Sequence, residues 1–456
     1  MATPAQIEQQ VQFERDAIAS GLNKLREQTR KLEQQAYASA TVYGNASIDT
    51  MLPLVVSRIE QTCESRLRHR QAGQYFAHID KYLKDVEPLA AGAIACKVLF
   101  DRVFSYDAKA NYLVNVAGAI GQALENECQM RHYEREAPGL LHTIKKNYWH
   151  RSAGTQQRLV IIKTLFNRTD VAKWSNWGQD VRVKLGNWLI ECICESTGWF
   201  QRIKTTQGRP YQNIVSPTPA FLAIKDQVIA NSELFSPEAL PMLIEPNDWS
   251  PQHDGGYLLN EVMRAHDMVR RGDPHLIQGE NCYAFLNKIQ KVALRLNPFI
   301  VEVAETLYEK GRSVGKFIPV WSEEEPPSKP VDIADNKEAR KDYCRRKAEY
   351  HNRLNDNAQK SVRTRKVMEM VKLFKDKDKF FLPWSFDYRG RAYPIPAFLT
   401  PQETDFGKSL LRFADESYMT PEAEDWLAFQ VATTYGLDKA TMQERLDWVK
   451  DNITLI

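Results

Sequence analysis

The chain has 456 residues, 43% hydrophobic and 26% charged, with a mean hydropathy of -0.49. At about 100–200 residues per domain this fits two to four packed cores, and no run reaches the ~18 apolar residues of a membrane span. The net charge of +3 identifies no nucleic-acid partner by itself, so the placement of the positive charge carries the information.

The opening MATPAQIEQQVQFERDAIAS lacks the basic and apolar regions of a signal peptide. Over residues 1–40, Val11, Ile18, Leu22, Leu25 and Leu32 fall near one helical face and predict an amphipathic packing helix. Further helices are predicted over 48–64, 89–104 and 114–133. A basic, turn-like break, Arg66 to Gly73, follows the first of these. Val181, Leu185, Trp188, Leu189 and Cys192 repeat at helical spacing and form a buried stripe, closed at Gly198. Residues 201–215 read as two extended arms around a Gly208-Arg209-Pro210 turn, a hairpin within helical sequence. Residues 236–258 are irregular and rich in proline and glycine. Residues 280–310 are helical, with Pro298 at the start of a second helix. After the connector WSEEEPPSKPVDI, one long helical pattern runs from about Asn336 to Phe374. Residues 331–380 hold 15 Lys and Arg against nine Asp and Glu, a net of +6, twice the whole-chain excess.

Three lures fail on their chemistry. Gly311 to Phe317 is one residue short of a phosphate-binding loop and lacks its Ser/Thr. His132, His142 and His150 have no metal-ligand spacing, and Asp254-Gly255-Gly256 reads as a turn. The seven cysteines show no paired CxxC spacing and read as reduced cytosolic thiols.

The sharpest segment is FFLPWSFDYRGRAYP, residues 380–394. An aromatic strand delivers Asp387, then Gly390 between two arginines. Glycine permits a tight turn, guanidiniums fork onto phosphate oxygens, and Tyr388 and Tyr393 offer rings for stacking. Chemistry alone leaves a β-turn with solvated arginines as an equal alternative. FDYRGRAYP, followed by Pro401-Gln402, Lys408-Ser409-Leu410-Leu411 and Phe413-Ala414, resembles the DxxGR region of single-subunit RNA polymerases of bacteriophages and mitochondria. Ala119 to Glu125, Ile190-Glu191 with Glu195 to Gly198, and Asp248-Trp249-Ser250 with Gly255-Gly256-Tyr257 resemble further segments of that family, in order.

The resemblance implies a mainly α fold: a helical N-terminal promoter and upstream-DNA domain with a small β-hairpin (1–285), a long helical thumb and connector (286–380), and the start of an α/β palm (381–456). It implies contacts to template and hybrid from Asp387, Arg389, Gly390, Arg391, Tyr393 and Lys408, with Arg391 as a grip on the backbone. It makes the basic helix from Lys360 to Lys375 a thumb, with Arg363, Arg365 and Lys366 on the hybrid. It makes the 203–212 hairpin a wedge at the bubble edge, carried by Pro210, Tyr211 or Ile203, with Arg209 in its turn. The Gly-Arg-Pro turn departs from the aliphatic tip of the family, so a plain surface hairpin competes. The Arg66–His78 break resembles the loop that touches A·T-rich upstream DNA, through Arg68, His69, Arg70 and Gln74, with a solvated loop as the alternative.

Nucleotidyl transfer needs a carboxylate pair on two metal ions. The family places these aspartates, and the fingers, C-terminal to the stretch matched here. Asp425, Asp438, Asp447 and Asp451 match neither palm motif. The expectation is therefore a nucleotidyltransferase by family whose magnesium belongs to the complete enzyme. This chain alone is expected to bind no metal and to be inactive. Expected partners are promoter duplex, template strand, nascent RNA and a second chain carrying the remaining palm and fingers, in the cytoplasm of a phage-infected bacterium. The alternative is a stand-alone DNA-binding or interaction module derived from such a polymerase.

Overall fold

The structure, a computed structural model, describes residues 2–69, 79, 81–84, 86–148, 154–169, 171–205, 211–252, 254–270, 279–320 and 325–454. The fold is mainly α, as expected, with short strands that join distant segments.

Helix α1 (Pro4–Gln34) starts at a capping box in which Thr3 and Gln6 satisfy each other's backbone N–H groups. The line it buries is Gln10, Glu14, Ala17 and Gly21, one residue away from the predicted apolar stripe. The polar pair is buried because it serves loops far along the chain. Gln10 accepts from the Leu243 N–H at 2.7 Å, and Glu14 accepts from Leu258 and Leu259 at 3.0 and 2.8 Å. Ala17 and Gly21 let a neighbouring segment close in. A Cβ on Gly21 would lie 1.9 Å from the Ser236 carbonyl oxygen.

Five helices follow: α2 (Val42–His69), α3 (Pro88–Val103), α4 (Leu113–Glu136), α5 (Pro138–Tyr148) and α6 (Thr155–Thr169). Helix α2 corrects the sequence reading: helical backbone continues to His69, through the start of the expected break at Arg66. Helix α7 (Gln179–Thr197) ends at Gly198, whose φ of 64° is the left-handed stop predicted for it. Its stripe of Leu185, Trp188, Leu189 and Cys192 is buried. Helices α4 and α7 cross in near-backbone contact: Cβ atoms on Gly121 and Gly186 would meet the carbonyl oxygens of Arg182 and Ala117 at 2.2 and 1.9 Å. Beside the crossing, buried Glu125 accepts from the Trp177 N–H and the Arg182 guanidinium, each at 2.7 Å.

Strands β1 (Phe200–Lys204) and β2 (Asn213–Pro217) form the expected hairpin, in register from Phe200↔Pro217 to Lys204↔Asn213. Helix α8 (Pro219–Leu234) follows, and Phe221 joins Tyr43, Met51, Leu99, Phe100, Ile120, Leu189 and Phe200 in the first core. Tyr133 stacks on Phe166 at 3.8 Å in a satellite cluster between α4, α5 and α6.

The second core is built from segments far apart in sequence: Met242, Trp249 and Tyr257; Leu286 and Val301; Val371 and Phe374; and Phe380, Leu382, Trp384, Leu399 and Leu410, with Phe13 and Ile18 of α1 packed against it. Its elements are α9 (Asn260–Ala265), β3 (Val269–Arg270), α10 (Glu280–Ile289), β4 (Leu294–Leu296), α11 (Pro298–Glu309), α12 (Lys337–Lys360), α13 (Val362–Phe374), β5 (Trp384–Asp387), β6 (Ala392–Pro394), α14 (Asp405–Ser409) and β7 (Leu411–Phe413). Pro298 occupies the first turn of α11, as predicted. The single helix expected over 336–374 is instead two, parted at Ser361. Helix α12 buries nothing, whereas α13 buries Thr364, Val367, Met368, Val371 and Phe374. The division follows composition: the apolar residues that can hold a helix on a core begin after Lys360.

Gly311 to Phe317 forms a turn closed by Val314 and Phe317, and Ile318 to Val320 after it are irregular, so no helix starts there to receive a phosphate. Helices α15 (Pro421–Tyr435) and α16 (Met442–Asp451) form a hairpin held by the buried Arg445, which lies over the Phe429 ring and donates to the Asp438 carbonyl at 2.7 Å. No helix of the described residues is long and apolar enough to cross a membrane. Burial raises the thiols of Cys96 and Cys192 to about 12 and that of Cys194 to about 11, far from a reactive thiolate.

Candidate nucleic-acid interface

The apolar run before Asp387 is an anchor. Phe380, Phe381, Leu382 and Trp384 are buried, and their backbone bonds to two other segments: Phe380 exchanges hydrogen bonds with Leu294, and Phe381 with Met242. The strand then emerges as β5, between β3 (parallel) and β6 (antiparallel). An exposed turn hangs from a strand fixed on both sides.

Asp387 builds that turn. Its Oδ1 accepts from the N–H groups of Arg389 and Arg391 at 2.8 and 3.0 Å, and its Oδ2 accepts the Arg389 guanidinium at 3.0 and 2.8 Å. The main chain closes with Asp387 N–H to Arg391 O and Gly390 N–H to Asp387 O, each 2.9 Å. Gly390 sits at φ 78°, where a side chain is strained. The Arg391 N–H, then the Arg389 side chain and N–H, hold the Asp387 carboxyl below the usual range.

The two arginines of the turn have different surroundings. Arg389 is tied to Asp387 and lies over the Tyr388 ring at 5.4 Å. Arg391 is exposed and makes no ion pair among the described residues. Tyr388 is 75% exposed, with the Arg389 guanidinium over its ring. This arrangement can hold a phosphate and stack a base or sugar.

The other predicted residues fall at several places. Tyr393 lines a cavity of about 770 Å³ together with Arg264, His266, Arg363 and Glu403. Arg363 donates through Nε to Glu403 Oε2 at 3.0 Å, and the Glu403 side chain is wholly buried, so this arginine is committed to its own fold. Lys366 pairs with Glu369 at 2.8 Å, while Arg365 is exposed without an ion pair among the described residues. Lys408 is exposed at the rim of a second, apolar cavity lined by Leu294, Trp384, Leu411 and Phe413.

Ile203 lies on β1 and Tyr211 just before β2, 39% and 66% exposed; Arg209 and Pro210 lie outside the described residues. The hairpin rests on the first core through Phe200 and Val215, whereas the Asp387 turn rests on the second. Arg68 and His69 close α2, and Arg70 and Gln74 lie outside the described residues.

Two features are hidden in the sequence. Trp249, whose only signal is the spacing of the DWS…GGY segment, donates its indole N–H to the Trp384 carbonyl at 2.9 Å. Among the described residues, α12 carries more exposed lysines and arginines than α13. Arg340, Lys341, Arg345, Arg346 and Lys347 are exposed there, Arg345 and Arg346 paired with Asp342, and Tyr343 and Tyr350 lie half-buried about two helical turns apart on one face.

Residues 9–273 match the family model described as DNA-directed RNA polymerase N-terminal. The chain is 26% identical to T7 RNA polymerase of Escherichia phage T7 and 24% identical to the DNA-directed RNA polymerase of Enterobacteria phage T3, in each case over 93% of this chain and 49% of the relative. It is 25% identical to the chloroplastic DNA-directed RNA polymerase 3B of Nicotiana tabacum, over 86% of this chain and 44% of the relative. The chain spans about half the length of these curated relatives. With the family model covering more than half of its residues, the chain belongs to the single-subunit, phage-type DNA-directed RNA polymerases, as their N-terminal region.

Proposed function

We propose that this chain supplies the nucleic-acid-holding part of a DNA-directed RNA polymerase. In this reading it binds promoter duplex, its β1–β2 hairpin holds the upstream edge of the bubble, and Arg391 with α12 grips the backbone of the RNA–DNA hybrid. The observation that carries the grip is the Asp387 turn, which ties up Arg389 and leaves Arg391 exposed. Lysines and arginines set along a duplex release counterions and give a hold that is independent of sequence.

Magnesium-dependent nucleotidyl transfer needs carboxylates free to bind two ions. Asp387 does not fit that role, because both its oxygens are engaged by Arg389 and by backbone N–H groups. Among the described residues, no group of three or more His, Cys, Asp and Glu could hold a metal. Polymerisation belongs in this reading to the palm and fingers of the family, and the residues described here supply the hold on nucleic acid rather than the chemistry.

The test is fluorescence anisotropy of the purified chain with a labelled RNA–DNA hybrid over a range of salt. Affinity is expected to fall log-linearly with salt, and Arg391→Ala to weaken binding and lower the slope by about one. An unchanged slope in Arg391→Ala would sink the grip. RNA synthesis by the chain alone on promoter DNA with magnesium would refute the division of labour. Duplex binding without any preference for hybrid or promoter would favour the stand-alone DNA-binding module.

A further inference from the structure

Strand β5 has a gap on one side. In an antiparallel pair, alternate residues turn their backbone groups to one neighbour. Pro383 and Asp387 bond to β6 and its ends, through Ile395 N–H to Pro383 O and Asp387 N–H to Arg391 O. The even-numbered residues therefore face β3, and Phe386 N–H donates to Met268 O at 2.7 Å. Among the described residues, strand β3 pairs with Phe386 and Asp387 and does not reach Trp384. The Trp384 carbonyl is buried on that side, where an unpaired acceptor is costly.

The indole of Trp249 fills the gap, donating Nε1–H to Trp384 O at 2.9 Å while itself 2% exposed. Its own backbone is held from both sides by one side chain. Asn287 Oδ1 accepts the Trp249 N–H at 2.7 Å, and Asn287 Nδ2 donates to the Trp249 carbonyl at 3.0 Å. Asn247 and Gly256 exchange two hydrogen bonds of 2.8 Å, which closes the loop. Gly255 is required because a Cβ there would lie 2.5 Å from the Trp249 backbone. The DWS…GGY segment is thus a bracket built around one indole, and the indole is spent on the strand that carries the Asp387 turn.

We propose that Trp249 is a positioning residue for that turn. By completing the hydrogen bonding of β5, it fixes the strand and through it the direction in which Arg391 leaves the turn. The link to nucleic-acid binding rests on the reading of Arg391 as a backbone grip; the link to the turn does not.

Trp249→Phe keeps a ring in the core and removes the N–H. In the full chain, hydrogen–deuterium exchange is expected to quicken at peptides covering 384–394 and to stay unchanged across α4 and α7. Hybrid affinity, read by anisotropy, is expected to fall about fivefold in Trp249→Phe and about tenfold in Arg391→Ala, with the double variant no weaker than Arg391→Ala within about twofold. That coupling is what a merely structural role would not give. Asn287→Leu, which frees the bracket while leaving the indole, is expected to show the same exchange and the same coupling, and it serves if Trp249→Phe does not fold. Unchanged exchange over 384–394, or losses that multiply in the double variant, would overturn the proposal. Faster exchange with no hybrid binding by the wild-type chain would leave the positioning role standing and remove the grip.

Discussion

At the scale of single residues, one carboxylate decides what the conspicuous motif can do. Asp387 is a turn builder, with an acceptor shared by two N–H groups and a counter-charge for Arg389. The residue types of that turn were legible, because a glycine between two arginines after an aromatic strand has few other uses. Which arginine is free was not legible, since Arg389 and Arg391 differ only in how the backbone directs them. Asp387→Ala leaves both N–H groups without their acceptor and is expected to lower hybrid affinity about tenfold. Asp387→Asn keeps an acceptor for both and is expected to stay within about threefold of wild type. Equal losses in the two variants would mean that the charge on Arg389, rather than the acceptor, organises the turn. The pH dependence has a definite sign. The Asp387 carboxyl is held below its unfolded value, so its support for the turn is complete above that value, near 3.8, and is lost as pH falls through the lowered one. Protection of the Arg391 N–H against exchange, corrected for the intrinsic slowing of exchange in acid, should fall only as pH drops through that lowered value.

At the scale of elements, helices were legible where an apolar stripe meets one neighbour, as in α7. They were less legible where the partner is distant. The closeness of α4 to α7 depends on Gly121 and Gly186, and a glycine inside a helical pattern does not say what approaches it. The buried side of α1 was displaced for the same reason: Gln10 and Glu14 look like solvent residues until the loops at 243 and 258–259 are in place. The basic stretch shows a third case. Its charge was visible, but the break at Ser361 divides it into a docked helix, whose Arg363 is held by Glu403, and an exposed helix. Gly186→Ala sets a methyl group against the Ala117 carbonyl and is expected to cost about 1–3 kcal/mol, as overpacking does. Urea unfolding measures it; a stability within about 0.5 kcal/mol of wild type would show that the crossing can open without loss.

At the scale of the whole molecule, α1 connects the two cores. Its 31 residues span about 46 Å. Phe13 and Ile18 pack on the second core, while Glu33 near its far end accepts from the Tyr43 hydroxyl of the first at 2.8 Å. Glu14 is the polar rivet of this brace, bonded to Gln10, Leu258 and Leu259. Burial raises its carboxyl above the usual value, although the Leu258 N–H, the Gln10 side chain and the Leu259 N–H pull the other way. A carboxyl raised on folding binds its proton more tightly in the native state, so its contribution to stability is largest below the unfolded value, near 4.5, and declines as pH rises through the folded one. Glu14→Ala removes that dependence together with three hydrogen bonds. At neutral pH it is expected to cost about 1–3 kcal/mol, because two partly buried N–H groups lose their acceptor. The gap between wild type and variant should therefore be wider at pH 4 than at pH 7.5 in paired urea titrations. A gap that narrowed in acid would mean that the charge of Glu14, rather than its hydrogen bonding, holds the brace to the second core.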